Sequence, residues 1–182
     1  HVIILKKGKV KVYSFVDKEK EQILRLVSDD QILGHRSFGG GFKLPVSATT
    51  LTQCDLVYIP VDVFLGALKA NNDFCFQFMM FFAEELKNSE QHIKLKGAKN
   101  LNQRVATAIL DNVAAFGYSS FDQKTLDYTI SRKEFANFSN TTYESIVRTL
   151  KKFSELGLLE IKGKNLKILD EKGLVKISTL NY

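Results

Sequence analysis

The sequence predicts an α+β chain in three parts: an N-terminal antiparallel β-sandwich or barrel, a long helix, and a C-terminal helix-turn-helix followed by a hairpin. Three observations carry this. Residues 1–60 hold short apolar runs separated by Gly, Asp and Ser turns, the pattern of an antiparallel sandwich or barrel. Residues 73–96 repeat apolar positions at alternating steps of four and three, a helical period. Residues 131–159 hold two capping-box patterns close together, each opening a short amphipathic segment.

Taken in order, Val2-Ile3-Ile4-Leu5 reads as a strand, turned by Lys6-Lys7-Gly8. Val10, Val12 and Phe15 alternate with Lys11 and Tyr13 in a second strand. Residues 23–27 form a third, residues 32–34 a short fourth, and residues 56–60 a late one. A short helix is expected over 61–70, after Pro60. Asn71-Asn72 then caps a helix over 73–96, which spans about 36 Å by its rise per residue. On it Cys75, Met79, Phe82, Leu86, Ser89 and Ile93 make a heptad seam, which asks for a second helix alongside. Phe74, Phe78 and Phe81 form a neighbouring stripe expected to pack on the N-terminal strands. Two readings of the pair are open: a parallel two-fold dimer, or two core stripes of a monomer. Gly97 marks a hinge. Asn100 and Gln103 cap a further helix with an apolar stripe at Val105, Ile109, Val113 and Phe116, ending at Gly117. Residues 125–130 are expected as a strand, and the tail over 171–182 is expected to pack on the hairpin.

In the stretch 131–159, Ser131 with Glu134 caps a first helix whose short apolar face is Phe135 and Phe138. Ser139 and Asn140 break it in small polar turn chemistry. Thr141 with Glu144 is read as the second capping box. In the helix it opens, Ile146, Leu150 and Phe153 lie on one side, and Thr142, Tyr143, Glu144, Val147, Arg148 and Lys151 on the other. Gly157 stops it. Two helices joined this tightly form a helix-turn-helix, whose second helix lies in the DNA major groove. Beyond Gly157, two apolar runs flank Lys162-Gly163-Lys164-Asn165, a basic-tipped hairpin placed to touch phosphate. Residues 131–167 carry eight Lys or Arg against four Asp or Glu, an excess that suits a polyanion. The plainer alternatives are that Glu144 only caps and that Arg148 is only a solvated charge.

The stretch resembles the winged helix-turn-helix of the Crp/Fnr regulators, the relatives of the cyclic-AMP receptor protein. The resemblance rests on Ser131, Arg132, Glu134, Phe135, Ala136, Thr142, Glu144, Ile146, Arg148, Leu150 and Gly157-Leu158-Leu159, all at the family's spacing. It implies that Glu144 and Arg148 read a G·C pair. That fits their chemistry, since Glu accepts from cytosine N4 and Arg donates to guanine O6 and N7. Tyr143 stands where several relatives carry another contacting arginine, so half-site preference is expected to differ. The implied DNA contacts are Ser131, Arg132, Thr142, Tyr143, Glu144, Arg148, Lys162 and Lys164. The pattern around residues 3–12 similarly resembles the cyclic-nucleotide-binding β-roll of the same family.

One segment departs from that family. In nucleotide-binding relatives the phosphate-binding cassette uses a Glu for the ribose and an Arg for the cyclic phosphate. Here Gly34 matches, but His35 replaces the Glu; Ser47 and Ala48 match, but Val46 replaces the Arg. A desolvated phosphate without its arginine loses on the order of several kcal/mol. Cyclic AMP is therefore not expected to be held in the usual mode, while Arg36 leaves a different anionic ligand open. His35 is either a haem or metal ligand or a surface or hydrogen-bonded residue. Gly39-Gly40-Gly41 is either a phosphate cradle or a flexible loop. No motif requires a cofactor; haem or another small effector remains open.

Composition bounds the rest. The chain has 182 residues, 45% of them hydrophobic, enough for one ordinary or two small domains. Net charge is +6, of which residues 98–182 contribute +4 from 13 basic and 9 acidic side chains. Cys54 and Cys75 are too few and too isolated for a disulfide framework or metal cluster. Two isolated cysteines suit a reducing cytoplasm, where the protein is expected; no signal peptide or membrane-length apolar run is seen. The chain starts at His1 in mid-strand, so further N-terminal residues are expected. No nucleophile elbow, metal cluster or acid–base pair suggests an enzyme. The expected organisation is an effector-sensing β-roll over 1–70, a dimerisation helix over 71–97, and a DNA-binding domain over 98–182. The expected function is an effector-linked, homodimeric transcription regulator. Its partners would be double-stranded DNA, a second copy of itself and RNA polymerase. The alternative is an effector-independent DNA-binding protein whose roll is a scaffold or polymerase-docking surface.

Overall fold

The computed structural model describes residues 1–17, 20–38, 41, 43, 44, 46–98 and 100–179, with the backbone alone at 17, 20 and 91–98. The architecture is α+β, with antiparallel strands followed by helices, a hairpin and a last helix. Two compact units form, and they do not follow chain order. The first contains residues 1–7, 29–44 and 54–99; the second contains 8–28, 45–53 and 100–182.

In the first unit, β1 (Val2–Lys7) lies between β4 (Gln31–Leu33) and β6 (Asp55–Ile59), both antiparallel to it. Ile3 pairs with Leu33 on one side and Tyr58 on the other. Val2 and Leu5 are buried. After β4, Gly34 turns the chain at φ +81° into a single 3-10 turn, His35–Ser37. A side chain at Gly34 would also meet the His1 carbonyl oxygen at 2.6 Å, so this position takes glycine for two reasons. Helix α1 (Val61–Ala70) follows Pro60, and α2 (Asn72–Ala98) opens where the Asn71 side chain accepts from Phe74 N at 3.0 Å. Phe64, Phe74, Phe78, Phe81 and Phe82 pack ring against ring between these helices and the 3-10 turn.

In the second unit, β2 (Val10–Asp17) is central, between β3 (Lys20–Val27) and β5 (Ser47–Thr50). Strand β5 was not expected from its sequence: all four residues are exposed, so no apolar alternation marks it. Helix α3 (Leu101–Phe116) carries the Asn100–Gln103 capping box and ends at Gly117, φ +70°, both as expected. Then come α4 (Arg132–Phe138), α5 (Tyr143–Glu155), β7 (Leu159–Lys162), β8 (Asn165–Ile168) and α6 (Glu171–Thr179). One buried apolar cluster joins Ile23 and Leu26 of β3 to Ile109, Phe135, Ile146, Leu150, Phe153, Leu166 and Leu174.

Two expectations are corrected. Residues 125–130 form no regular strand; they make only isolated bridges, Tyr118 with Leu126 and Thr125 with Lys167. The fully buried Asn112 explains why. Its side chain donates to Tyr128 O at 2.9 Å and accepts from Ile130 N at 3.3 Å, taking the groups a ladder would need. Residues 171–179 of the tail form a helix, α6, packed on α3. Gly173 hides it in the sequence by lowering helix propensity. A Cβ there would press on the Asp170 carboxylate and the Leu158 side chain, both of which would have to shift.

Candidate nucleic-acid interface

Helix α4 begins with both halves of its capping box made: Glu134 N donates to Ser131 Oγ at 3.2 Å, and Ser131 N to Glu134 Oε2 at 2.8 Å. It ends in a Schellman turn. Thr141 N donates to Ala136 O at 2.9 Å, and Asn140 sits in the left-handed region at φ +48°, which Asn tolerates best after Gly. Arg104 of α3 clamps this turn by donating from Nε to Ser139 O at 2.9 Å. The cap of α5 is Thr142, one residue later than the Thr141 read from sequence, and its Oγ1 accepts from Ser145 N at 3.3 Å. Glu144 is thereby released from capping.

Helix α5 divides cleanly. Ile146, Thr149, Leu150 and Phe153 are buried, whereas Thr142, Tyr143, Glu144, Val147, Arg148, Lys151 and Lys152 are exposed. The hairpin β7–β8 turns through Gly163, φ +59°, and Lys164, with Lys162 paired to Asn165. Lys162 and Lys164 are exposed at its tip. Arg132 is spent locally. Its Nη1 donates to Lys164 O at 3.1 Å and its Nη2 to Gly163 O at 3.2 Å, tying the hairpin tip to the start of α4. Burial lowers the pKa of its guanidinium, while the nearby Tyr143 acts in the other direction.

Three side chains shape the two units without having been singled out in the sequence. Lys11 of β2 lies 3.0 Å from Glu21 Oε2 and 3.3 Å from Glu134 Oε1, so the same glutamate that caps α4 also receives a cation from the sheet. Burial pulls the Lys11 pKa down, but the bonds and charges of Glu21 and Glu134 outweigh it and the net shift is upward. Nothing local marks the pairing of Lys11 with Glu134, because the two are distant in sequence. Asp122 accepts from the backbone N–H of Thr125 and Lys124 and from the Thr125 hydroxyl, and these bonds hold its carboxyl well below the usual range. Its other neighbour is Lys167 of β8, at 3.5 Å.

The residues expected to face an effector divide between the two units. Ser47 and Ala48 lie on β5, opposite Tyr13 and Val12. Gly34, His35 and Arg36 form the turn of the first unit. His35 is 1% exposed rather than on the surface, set edge-on to the rings of Phe81 and Phe82. Its Nε2 lies 3.4 Å from Glu85 Oε2, and Arg36 Nη2 donates to the same oxygen at 2.7 Å. The third of the three residues missed in the sequence is Glu85. It falls seven positions after Phe78 and four after Phe81, so a carboxylate on the aromatic stripe was the available signal. No group of three metal-ligating side chains occurs among the described residues. Gly41 has φ +78°, while Gly39 and Gly40 lie outside the described residues.

Of the expected seam on α2, Cys75, Met79 and Leu86 are exposed, whereas Phe82 and Ser89 are half-buried and Phe82 packs on Phe78. The side chain of Ile93 lies outside the described residues. Phe76 and Met80, exposed at 54% and 50%, extend the outward apolar face beside Met79 and Leu86.

Comparison with known proteins converges on one family. A family model for the Crp-like helix-turn-helix domain matches residues 103–177, and one for the cyclic nucleotide-binding domain matches residues 1–71. The transcriptional activator protein FnrA of Stutzerimonas stutzeri is 26% identical over 97% of this chain and 72% of its own length. The fumarate and nitrate reduction regulatory protein of Escherichia coli K12 is 24% identical over 96% of this chain and 69% of its own. In fold, FixK2 of Bradyrhizobium japonicum superposes with a TM-score of 0.84 at 18% identity, over 100% of this chain and 88% of that one. A Crp/Fnr regulator of Thermus thermophilus, TTHA1359, gives 0.80 at 17% identity, over 100% and 89%. No helix among the described residues is long and apolar enough to cross a membrane. With both halves matched in order and the helix-turn-helix built as described, the chain is a DNA-binding transcription regulator and belongs to the Crp/Fnr family.

Proposed function

We propose that the chain acts as a homodimer on a near-palindromic duplex, with α5 of each copy in a major groove. Glu144 and Arg148 read one G·C pair, Ser131, Thr142 and Tyr143 flank them, and Lys162 and Lys164 meet phosphate. Arg132 serves by holding the wing in place. The carrying observation is the face of α5: Glu144 is free of the cap and exposed one turn from the exposed Arg148, over a fully packed opposite side. Dimerisation through α2 is supported by Phe76, Met79, Met80 and Leu86, which are large, apolar and half or more exposed on one helix. In this reading residues 1–70 sense, 71–97 dimerise and 98–182 bind DNA, in the cytoplasm and in contact with RNA polymerase, without catalysis.

Control is linked to a small effector that is not cyclic AMP in the usual mode. Val46 offers no charge, His35 is packed among aromatic rings, and Arg36 is engaged by Glu85. The effector acts only to the extent that it prefers one conformation over another.

The test is Arg148→Ala against duplexes matched and mismatched at the G·C pair. The variant should lose about 1–3 kcal/mol of discrimination at that pair and little elsewhere. Equal affinity of the wild type for both duplexes would overturn the reading.

A further inference from the structure

We infer that Val147 reads the C5-methyl group of a thymine next to the G·C pair assigned to Glu144 and Arg148; this rests on the recognition role proposed for α5. Val147 is 44% exposed and Tyr143, one turn before it, is 53% exposed. At about 100° per residue, Val147 lies roughly 60° from Glu144 around the helix and falls between Tyr143 and Arg148 in the exposed arc. A β-branched residue is a poorer helix former than the Lys or Gln that a solvated face would carry, so helix propensity does not account for an exposed valine here.

The surroundings select the occupant. Arg148, Lys151 and Lys152 stand exposed on the same face, and Lys162 and Lys164 at the hairpin tip, a cationic surface complementary to a duplex. Among the groups that base pairs present in the major groove, the thymine methyl is the apolar one. A valine between a carboxylate and an aromatic ring on that face is therefore matched to a methyl and mismatched to every polar base edge. The half-site should place a thymine beside the guanine or cytosine.

The experiment uses the full chain and duplexes selected by it from a randomised library. Each thymine of the half-site is then replaced singly by deoxyuridine, which lacks only the methyl. For the wild type, one replacement adjacent to the G·C pair should weaken binding about fourfold, the scale of burying one such carbon. Val147→Ala should bind the thymine and deoxyuridine duplexes equally while keeping its G·C discrimination, and Val147→Thr, which retains one methyl, should fall between. A wild type indifferent to every deoxyuridine, or a penalty that persists in Val147→Ala, overturns the inference and leaves the Glu144–Arg148 reading standing. A wild type that selects no sequence at all overturns both.

Discussion

Replacing Lys11 by methionine removes a cation held between two carboxylates and keeps most of the apolar stem. The ammonium lies 3.0 Å from Glu21 and 3.3 Å from Glu134, on a side chain only 12% exposed. At an effective dielectric of about 20, unit charges about 4 Å apart attract by roughly 4 kcal/mol. Desolvating the lysine and ordering its long side chain return most of that, and exposed pairs keep only about 0–1 kcal/mol. Partial burial puts the Lys11–Glu134 coupling at about 1 kcal/mol. A double-mutant cycle of Lys11→Met and Glu134→Gln isolates it, because glutamine still completes the capping box of α4 and only the charge is lost. Urea unfolding of the four proteins gives the coupling directly. The pH dependence has a definite sign. The folded-state pKa of Lys11 is raised above 10.5, so its contribution is fully present below that pH and is lost as pH rises through the folded value. The coupling should therefore be flat from about pH 6 to 9 and decline only in strong alkali. A coupling within about 0.3 kcal/mol of zero at pH 7 would refute a working bridge between β2 and α4.

Further outcomes follow from the same geometry. Lys162→Ala and Lys164→Ala should weaken all duplexes alike and each reduce the slope of log K against log salt by about 1; an unchanged slope would remove the wing from the phosphate contacts. Arg132→Ala should cost about 1–2 kcal/mol of stability, because two charged hydrogen bonds to the wing tip are lost, and should lower affinity without changing sequence preference. A variant with altered preference would make Arg132 a base reader instead. Leu86→Glu should convert dimer to monomer in sedimentation at micromolar concentration, by placing a charge in an apolar seam; an unchanged dimer would place the interface elsewhere.

What the sequence determined by itself was local. Capping boxes and periodicity act within one or two turns, so α3, the buried faces of α4 and α5, the hairpin and the long helix could all be read from neighbours a few positions apart. Even there, the choice of Thr142 over Thr141 as cap depended on where the Schellman turn at Asn140 left the chain. Tertiary structure decided everything that joins distant segments. It paired Lys11 with Glu134 and spent Arg132 on the wing carbonyls. It brought Glu85 to Arg36 and His35, and gave the groups of residues 128–130 to Asn112 instead of a ladder. Charge and hydrogen-bond partners of this kind are selected by which surfaces the buried cores bring within about 3 Å, and no periodicity along the chain encodes that meeting.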